Sequence, residues 1–298
     1  MNYKKGLVSI IMPTYNRKHI IGDAIDSCLS QTYRNIEIIV CDDHSTDGTK
    51  EYIAERMKED VRIRYCMNPE GKKGANAARN TAIKIAQGEY LTFLDTDDYL
   101  LVDAIACRVE VFHNNPGVAM VYGNHYTEVG RKKYKNIYTD IRKENLSQKR
   151  YLMQELALCL QSTIMLRTSV FQKIGLLDEE QKGWTDDGLV VAVGMRYPIM
   201  HSGEYIAVMR KSEVSMTSNK WNMYYGCKIM VERYKKQILQ YASVGRYLLW
   251  KMRLFSLFCY AKEMDAAKAR NEWKRDFWKA LHISTKKVVF PFFRLYCE

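Results

Sequence analysis

Short apolar runs alternate with helix-spaced stripes through the first hundred residues. The runs are Leu7–Met12, Ile36–Cys41, Val61–Tyr65 and Tyr90–Leu94. The first, second and fourth are nearly unbroken and rich in β-branched or other apolar residues, the pattern of strands buried on both faces, and Val61–Tyr65 is a third short strand. Between the first two, Ile21, Ala24, Ile25, Cys28 and Leu29 recur at helical spacing. Ser45-Thr46-Asp47-Gly48 predicts a turn and N-cap opening a helix over 47–58. Residues 76–86 predict another helix, stopped by Gly88. Strand and helix alternate, so the expected fold is α/β: a Rossmann-like, doubly wound, mostly parallel sheet flanked by helices.

After residue 100 the alternation loosens. Residues 103–114 predict a helix, 118–122 a strand and 162–166 another strand. Between the latter two, 130–150 is rich in Lys, Arg and Tyr and reads as a loop or variable insert. Residues 168–174 predict a short helix, 184–195 a helical run and 205–209 a last strand. From Met223 only helical stripes remain. One carries Tyr225, Ile229, Met230, Tyr234, Ile238 and Tyr241; a second runs over 247–260; a third carries Trp273, Phe277, Trp278 and Leu281. The chain then ends in the apolar run Val288–Phe293 and Arg294. The expected domains are 1–217, catalytic, and 218–298, a helical C-terminal extension.

Charge sharpens that division. The net charge is +12, with 46 Lys and Arg against 34 Asp and Glu. Residues 1–217 hold 29 against 28, whereas 218–298 hold 17 against 6. A basic helical tail with Trp and Phe suits the face of an anionic membrane. The bland alternative is packing on the first domain, or on a second copy in a homo-oligomer. Lys and Arg interrupt every apolar stretch before the ~20 residues that a membrane span needs. The eight cysteines are scattered with no Cys-x-x-Cys spacing, which fits a reduced cytoplasmic setting. Leu7–Met12 is too short for a signal-peptide core, so no export signal is expected. The localisation expected is cytoplasmic, peripheral on the membrane.

The candidate chemistry lies at the ends of two runs. Ile36–Cys41 leads into Asp42-Asp43, and Tyr90–Leu94 leads into Asp95-Thr96-Asp97-Asp98. Like charges repel, so crowded carboxylates at strand tips point to a bound cation. Ligands of open α/β sheets bind at the carboxyl ends of the strands.

Four motifs resemble those of family 2 glycosyltransferases, in order and spacing. They are Val8–Arg17, the Asp-Asp-x-Ser-Thr-Asp-Gly-Thr stretch at 42–49, Gly74–Asn80 with its Ala-Arg-Asn, and the Asp-x-Asp-Asp at 95–98. Ile174–Glu179 is similar to a fifth, Gly-x-Phe-Asp-Glu, with Leu in place of Phe. The resemblance covers residues 6–217 and implies the A-type glycosyltransferase fold and an inverting transfer of sugar from a nucleotide-sugar donor, UDP-linked. It implies a role for Asp97 or Asp98 as ligand to Mn²⁺ or Mg²⁺, with Asp95, Thr96 and Asp97 near the donor ribose and diphosphate. Asp43 would read the base, with Asp42 supporting it. Pro13, Thr14, Tyr15 and Arg17 would line the nucleoside pocket. Asn76 and Arg79 fall in the third motif, where Arg79 can fork onto phosphate or close on a carboxylate of the metal cluster.

Thr185-Asp186-Asp187 stands where relatives place the base, and alignment on the following helix gives that role to Asp187. Its task is to remove a proton from the acceptor hydroxyl; helix capping is the bland reading of Asp186. Arg210–Thr217 stands where many relatives read Arg-x-His-x-x-Ser-x-Ser. Arg210 and Ser215 match, but Ser212 replaces the His; if that His holds metal or diphosphate in relatives, this chain would use Arg210 or Lys211 instead, or bind more weakly.

The reading is a metal-dependent hexosyl- or N-acetylhexosaminyltransferase. It would act on a glycan or lipid-linked saccharide in cell-surface polysaccharide synthesis. A nucleic-acid-binding protein is one rival, but the charge is confined to the tail and no nucleic-acid module appears, so no nucleic-acid partner is expected. A nucleotidyltransferase is another, and it lacks its Gly-rich phosphate loop here.

Overall fold

A computed structural model describes residues 3–144, 146–156, 158–211, 219–269 and 271–289. The expected boundary near residue 218, the motif residues Ser212 and Ser215, and the terminal run beyond residue 289 lie outside the described residues. The chain divides into two compact units. The first comprises Met1–Lys143, Cys159–Glu179 and Ala192–Ser212, and the second Glu144–Leu158, Glu180–Val191 and Glu213–Glu298.

The first unit holds the sheet. Its strands are β1 (Lys4–Thr14), β2 (Ile36–Asp42), β3 (Ile63–Met67), β4 (Gly88–Phe93), β5 (Tyr99–Leu100), β6 (Met120–Val129), β7 (Lys132–Asn136), β8 (Ile164–Arg167) and β9 (Ile199–Arg210). The order is β3-β2-β1-β4-β8-β6-β9-β5, with β7 paired to β6. The four predicted strands form the parallel part, and β6 also runs parallel to β9. β8 lies antiparallel to both β4 and β6. Helices α1 (Ile21–Leu29), α2 (Thr49–Glu59), α3 (Ala75–Ile85), α4 (Ala104–Asn114) and the short α6 (Phe171–Ile174) connect these strands. One apolar cluster joins Val8, Ile10 and Met12 of β1 to Ile38 and Val40 of β2, Ile21 and Ile25 of α1, and Ile105 and Phe112 of α4.

Two expectations needed correction. Residues 130–150 are not a loop throughout: β6 runs on to Val129, turns at Gly130 and returns as β7, and 148–155 are helical. β7 reads Lys-Lys-Tyr-Lys-Asn and is largely exposed. Edge strands carry lysine to discourage further pairing, and that composition hides the strand signal. The last strand also begins at Ile199, not Tyr205. Its middle is polar and partly exposed, with a register shift against β6 between Tyr122 and His125.

The second unit is helical. It contains α5 (Gln148–Glu155), the start of α7 (Thr185–Gly194), α8 (Lys220–Arg233), α9 (Lys235–Tyr241), α10 (Val244–Lys268) and α11 (Glu272–Val289). Trp250 of α10 has no exposed surface and meets Trp184 edge-on at 5.8 Å. The Arg253 guanidinium lies 5.2 Å from both indoles. Glu155 and Arg246 form a buried ion pair at 2.8 Å. Among the described residues no helix is long and apolar enough to cross a membrane.

Candidate active site

Register sets the site. β1 pairs Met12 with Val40 and Thr14 with Asp42, so β1 and β2 end level. β4 pairs Phe93 with Ile11, which puts Asp95–Asp98 just beyond the same edge. The acids of both motifs therefore gather at the carboxyl edge of three adjacent parallel strands.

The loop after β1 is stitched to the loop after β2. Asn16 is left-handed, at φ 52°; its amide donates to Ser45 Oγ (2.8 Å) and its Oδ1 accepts from the Thr46 amide (2.8 Å). The Arg17 amide donates to Thr49 Oγ1, and the Asp43 amide to the Thr14 carbonyl. His44 is also left-handed, at φ 67°, a conformation that favours glycine but that His tolerates better than most. Pro13 is buried, whereas Tyr15 is 56% exposed. The Thr14 hydroxyl is buried and has no hydrogen-bond partner among the described residues.

The two acids of β2 face different surroundings. Asp42 has no exposed surface. Its Oδ1 accepts from the amide and hydroxyl of Ser45 (2.8 and 2.6 Å), and its Oδ2 from the Tyr65 hydroxyl. It thus braces the loop, and no face of it is left for a ligand. Asp43 is half-buried; it accepts from Asn68 Nδ2 at 2.8 Å and from the Gly74 amide at 2.7 Å.

The second cluster also divides. Arg79, 2% exposed, donates from Nη2 to Asp95 Oδ1 at 2.6 Å and from Nη1 to Asn76 Oδ1. Of its two expected roles, it plays the one that closes on a carboxylate. Asp98 is turned inward: Oδ2 accepts from Ser162 Oγ (3.1 Å) and Oδ1 from the Arg210 amide (3.2 Å). Burial pushes its carboxyl well above the usual carboxylate range, and the charges of Asp95 and Asp97 push it the same way. Asp97 is half-buried and also raised, by burial first and then by Asp95, with Arg17 and Arg210 pulling it back. Thr96 between them is buried. The Arg210 guanidinium is paired with Asp23 at 2.7 Å and lies over the Tyr99 ring, while the exposed Lys211 donates its amide to the Glu128 carbonyl.

Among the described residues no three His, Cys, Asp or Glu side chains are gathered as a complete metal site. The oxygen-only set of Asp95 and Asp97 still fits Mg²⁺ or Mn²⁺, which use one or two carboxylates and complete their shell with water and phosphate.

Sequence reasoning overlooked the struts. Asn80 brackets Leu177, donating to its carbonyl and accepting from its amide, and also donates to Glu179. Asn76 donates to the Asp178 carbonyl, and Lys72 pairs with Glu179 at 2.7 Å. Helix α3 therefore carries the Gly-Leu-Leu-Asp-Glu segment. Ser45 belongs to the second motif, but Asn68 and Ser162 have no motif of their own and only the local signal of turn-forming residues. Asp186 and Asp187 lie in the second unit, in the first turn of α7, where Asp186 accepts from the Thr185 hydroxyl. They follow Trp184, which is buried and left-handed at φ 58°.

The strand order and the acids at its carboxyl edge define an A-type glycosyltransferase fold. The chain belongs to glycosyl transferase family 2, whose family model matches residues 9–175. It is 48% identical over 122 residues to the Escherichia coli UDP-Glc:alpha-D-GlcNAc-diphosphoundecaprenol beta-1,3-glucosyltransferase WfaP, covering 41% of this chain and 47% of that one. The chain thus matches about half the length of this relative. In structure it is similar to S. aureus TarS 1-349 in complex with UDP-GlcNAc, with TM-score 0.65 and 19% identity over 94% of this chain and 91% of that one. It is also similar to the mannosyltransferase PcManGT from Pyrobaculum calidifontis in complex with GDP-Man and Mn²⁺, with TM-score 0.58 and 18% identity over 94% and 75%.

Proposed function

We propose that this protein is an inverting, metal-dependent glycosyltransferase that moves a hexose or N-acetylhexosamine from a UDP-sugar to a hydroxyl of a lipid-linked saccharide. The observation that carries the reading is the gathering of Thr14, Asp43, Asp95 and Asp97 at the ends of three level parallel strands. WfaP, the relative at 48% identity, takes UDP-Glc and a diphosphoundecaprenol-linked sugar, which supports the donor and acceptor classes.

Asp43 accepts a hydrogen bond from the uracil ring, and the unmatched Thr14 hydroxyl serves the nucleoside. Asp97, with Asp95 beside it, would hold Mn²⁺ or Mg²⁺, which neutralises charge on the departing diphosphate. Of the two expected metal ligands, Asp98 is the weaker, because its oxygens hold Ser162 and the end of β9. Arg79 keeps Asp95 aimed. Asp187 takes the proton of the acceptor hydroxyl as that oxygen attacks the anomeric carbon from the face opposite the leaving group, which inverts the configuration.

The basic helices α8–α11 hold the protein on the anionic cytoplasmic face of a membrane, where such acceptors are embedded. The exposed Leu248, Met252, Phe255, Phe277 and Ile283, set among lysines, support this.

The test is calorimetry with UDP with and without Mn²⁺, paired with transfer assays. Asp97→Ala should lose the metal-dependent part of UDP binding, and Asp187→Asn should bind UDP normally but turn over at least 10²-fold more slowly. Unchanged binding in the first, or normal turnover in the second, removes that assignment.

A further inference from the structure

We infer that Asn68 is a positioning residue for donor-base recognition: its amide aims the Asp43 carboxylate and at the same time orders the loop that closes on it. The inference rests on the reading of Asp43 as the base acceptor.

Asn68 is the first residue after β3 and is 2% exposed. Its main-chain amide donates to the Asp42 carbonyl at 2.8 Å, which fixes it to the end of β2. Its side-chain Nδ2 carries two hydrogens and uses both. One goes to Asp43 Oδ1 at 2.8 Å and the other to the Lys72 carbonyl at 3.3 Å. The loop so held delivers the second clamp, the Gly74 amide, to Asp43 Oδ2 at 2.7 Å. A carboxylate offers about four lone-pair positions, so two remain for a ligand after both clamps are made. What the clamps remove is rotation of the carboxylate plane.

An amide has two orientations, and only one works here. The Thr81 hydroxyl donates to Asn68 Oδ1 at 2.9 Å. The Asp43 carboxylate and the Lys72 carbonyl can only accept, so they assign the NH₂ to their side and the oxygen to the α3 side, where the Thr81 hydroxyl anchors it. Without that anchor the amide plane can swing, which loosens its hold on Asp43 and on the loop. Thr81 thus acts through Asn68, and Asn68 through Asp43.

The experiment measures binding of UDP and of N3-methyl-UDP, which lacks the ring N–H, to the full-length protein by calorimetry, with unfolding temperature recorded for each variant. Wild type should prefer UDP. Asn68→Ala should weaken UDP by about 10-fold and N3-methyl-UDP by much less, so that the preference shrinks. Thr81→Val retains every atom of Asn68 and should shrink the same preference by about 3-fold; it decides the question if Asn68→Ala does not fold. Equal weakening of both nucleotides, or an unchanged preference in Thr81→Val, overturns the inference. An Asp43→Asn control separates the two levels. If it abolishes the preference while the Asn68 and Thr81 variants do not, the base reading stands and the positioning role falls. If it leaves the preference intact, both fall.

Discussion

At the scale of single residues, the site is built from side chains whose partners lie far away in sequence. Asp42 and Asp43 are neighbours, yet Asp42 ends β2 fully buried and braces a loop, while Asp43 lies just past the strand tip and is half-buried. The sequence places both acids at a strand tip, but their partners differ: Ser45 and Tyr65 hold Asp42, while Asn68 and Gly74 hold Asp43. Asp98 makes the same point, because Ser162 lies far along the chain in the turn before β8. Asp98→Asn should keep the fold within about 1 kcal/mol, since an amide can still accept from the Arg210 N–H and donate to Ser162. Asp98→Ala should cost about 2–3 kcal/mol by orphaning two donors, as read by urea unfolding. His125 gives a pH signature. It is buried against Tyr138, and burial pushes its pKa down from 6.5 to about 4. It is neutral when folded, whereas the unfolded chain takes up a proton below about 6.5. Its contribution is therefore complete above pH 6.5 and is lost as pH falls toward 4, to a limit of about 3 kcal/mol. His125→Phe should flatten the fall in unfolding temperature between pH 7 and 4.5 relative to wild type.

At the scale of elements, runs and stripes carried most of the first unit. β1, β2 and β4 were legible because burial on both faces leaves a nearly unbroken apolar run, whereas the run at the part-exposed β3 alternates apolar residues with arginine, and the strand starts at Ile63, not Val61. β7 and the start of β9 were not, because an edge and a bulged, part-exposed stretch obey other demands. The segment leading into α7 shows what patterns omit altogether. Gly183 packs so closely on α8 that an added Cβ would stand 2.3 Å from the Asn222 carbonyl oxygen. From the other side, a Cβ on Gly226 would meet the Gly183 carbonyl oxygen at 2.2 Å. Both obstacles are backbone, so nothing soft can yield. Gly226→Ala should push α8 away from the segment leading into Asp186 and Asp187. The expected outcome is a loss of 1–3 kcal/mol in stability, about the cost of overpacking. The fall in turnover should exceed that in UDP affinity, because the residues proposed to hold the nucleotide belong to the other unit.

At the scale of the whole molecule, charge and fold divide differently. The change in charge falls near residue 218, which the sequence displays plainly. The compact helical unit, however, also takes in Glu144–Leu158 and Glu180–Val191 from the earlier chain. Nothing in composition marks those pieces, because their role is to be covered by helices encoded later in the chain. Binding to vesicles rich in phosphatidylglycerol should fall by up to about 10³-fold when Lys274, Lys279, Lys286 and Lys287 are changed to Gln, at about 1 kcal/mol per cation. Flotation at two salt concentrations reads this, and neutral vesicles serve as the control. The interleaving has a practical consequence for anyone recombining these enzymes. A chimera cut at residue 218 would leave Trp184 without Trp250 and Glu155 without Arg246, so the tail is not a cassette. A working graft must exchange three stretches together, and the stretch bearing Asp187 is one of them. Whatever the helical unit contributes to acceptor choice would then be inherited as a set with the proposed base, and not swapped piece by piece.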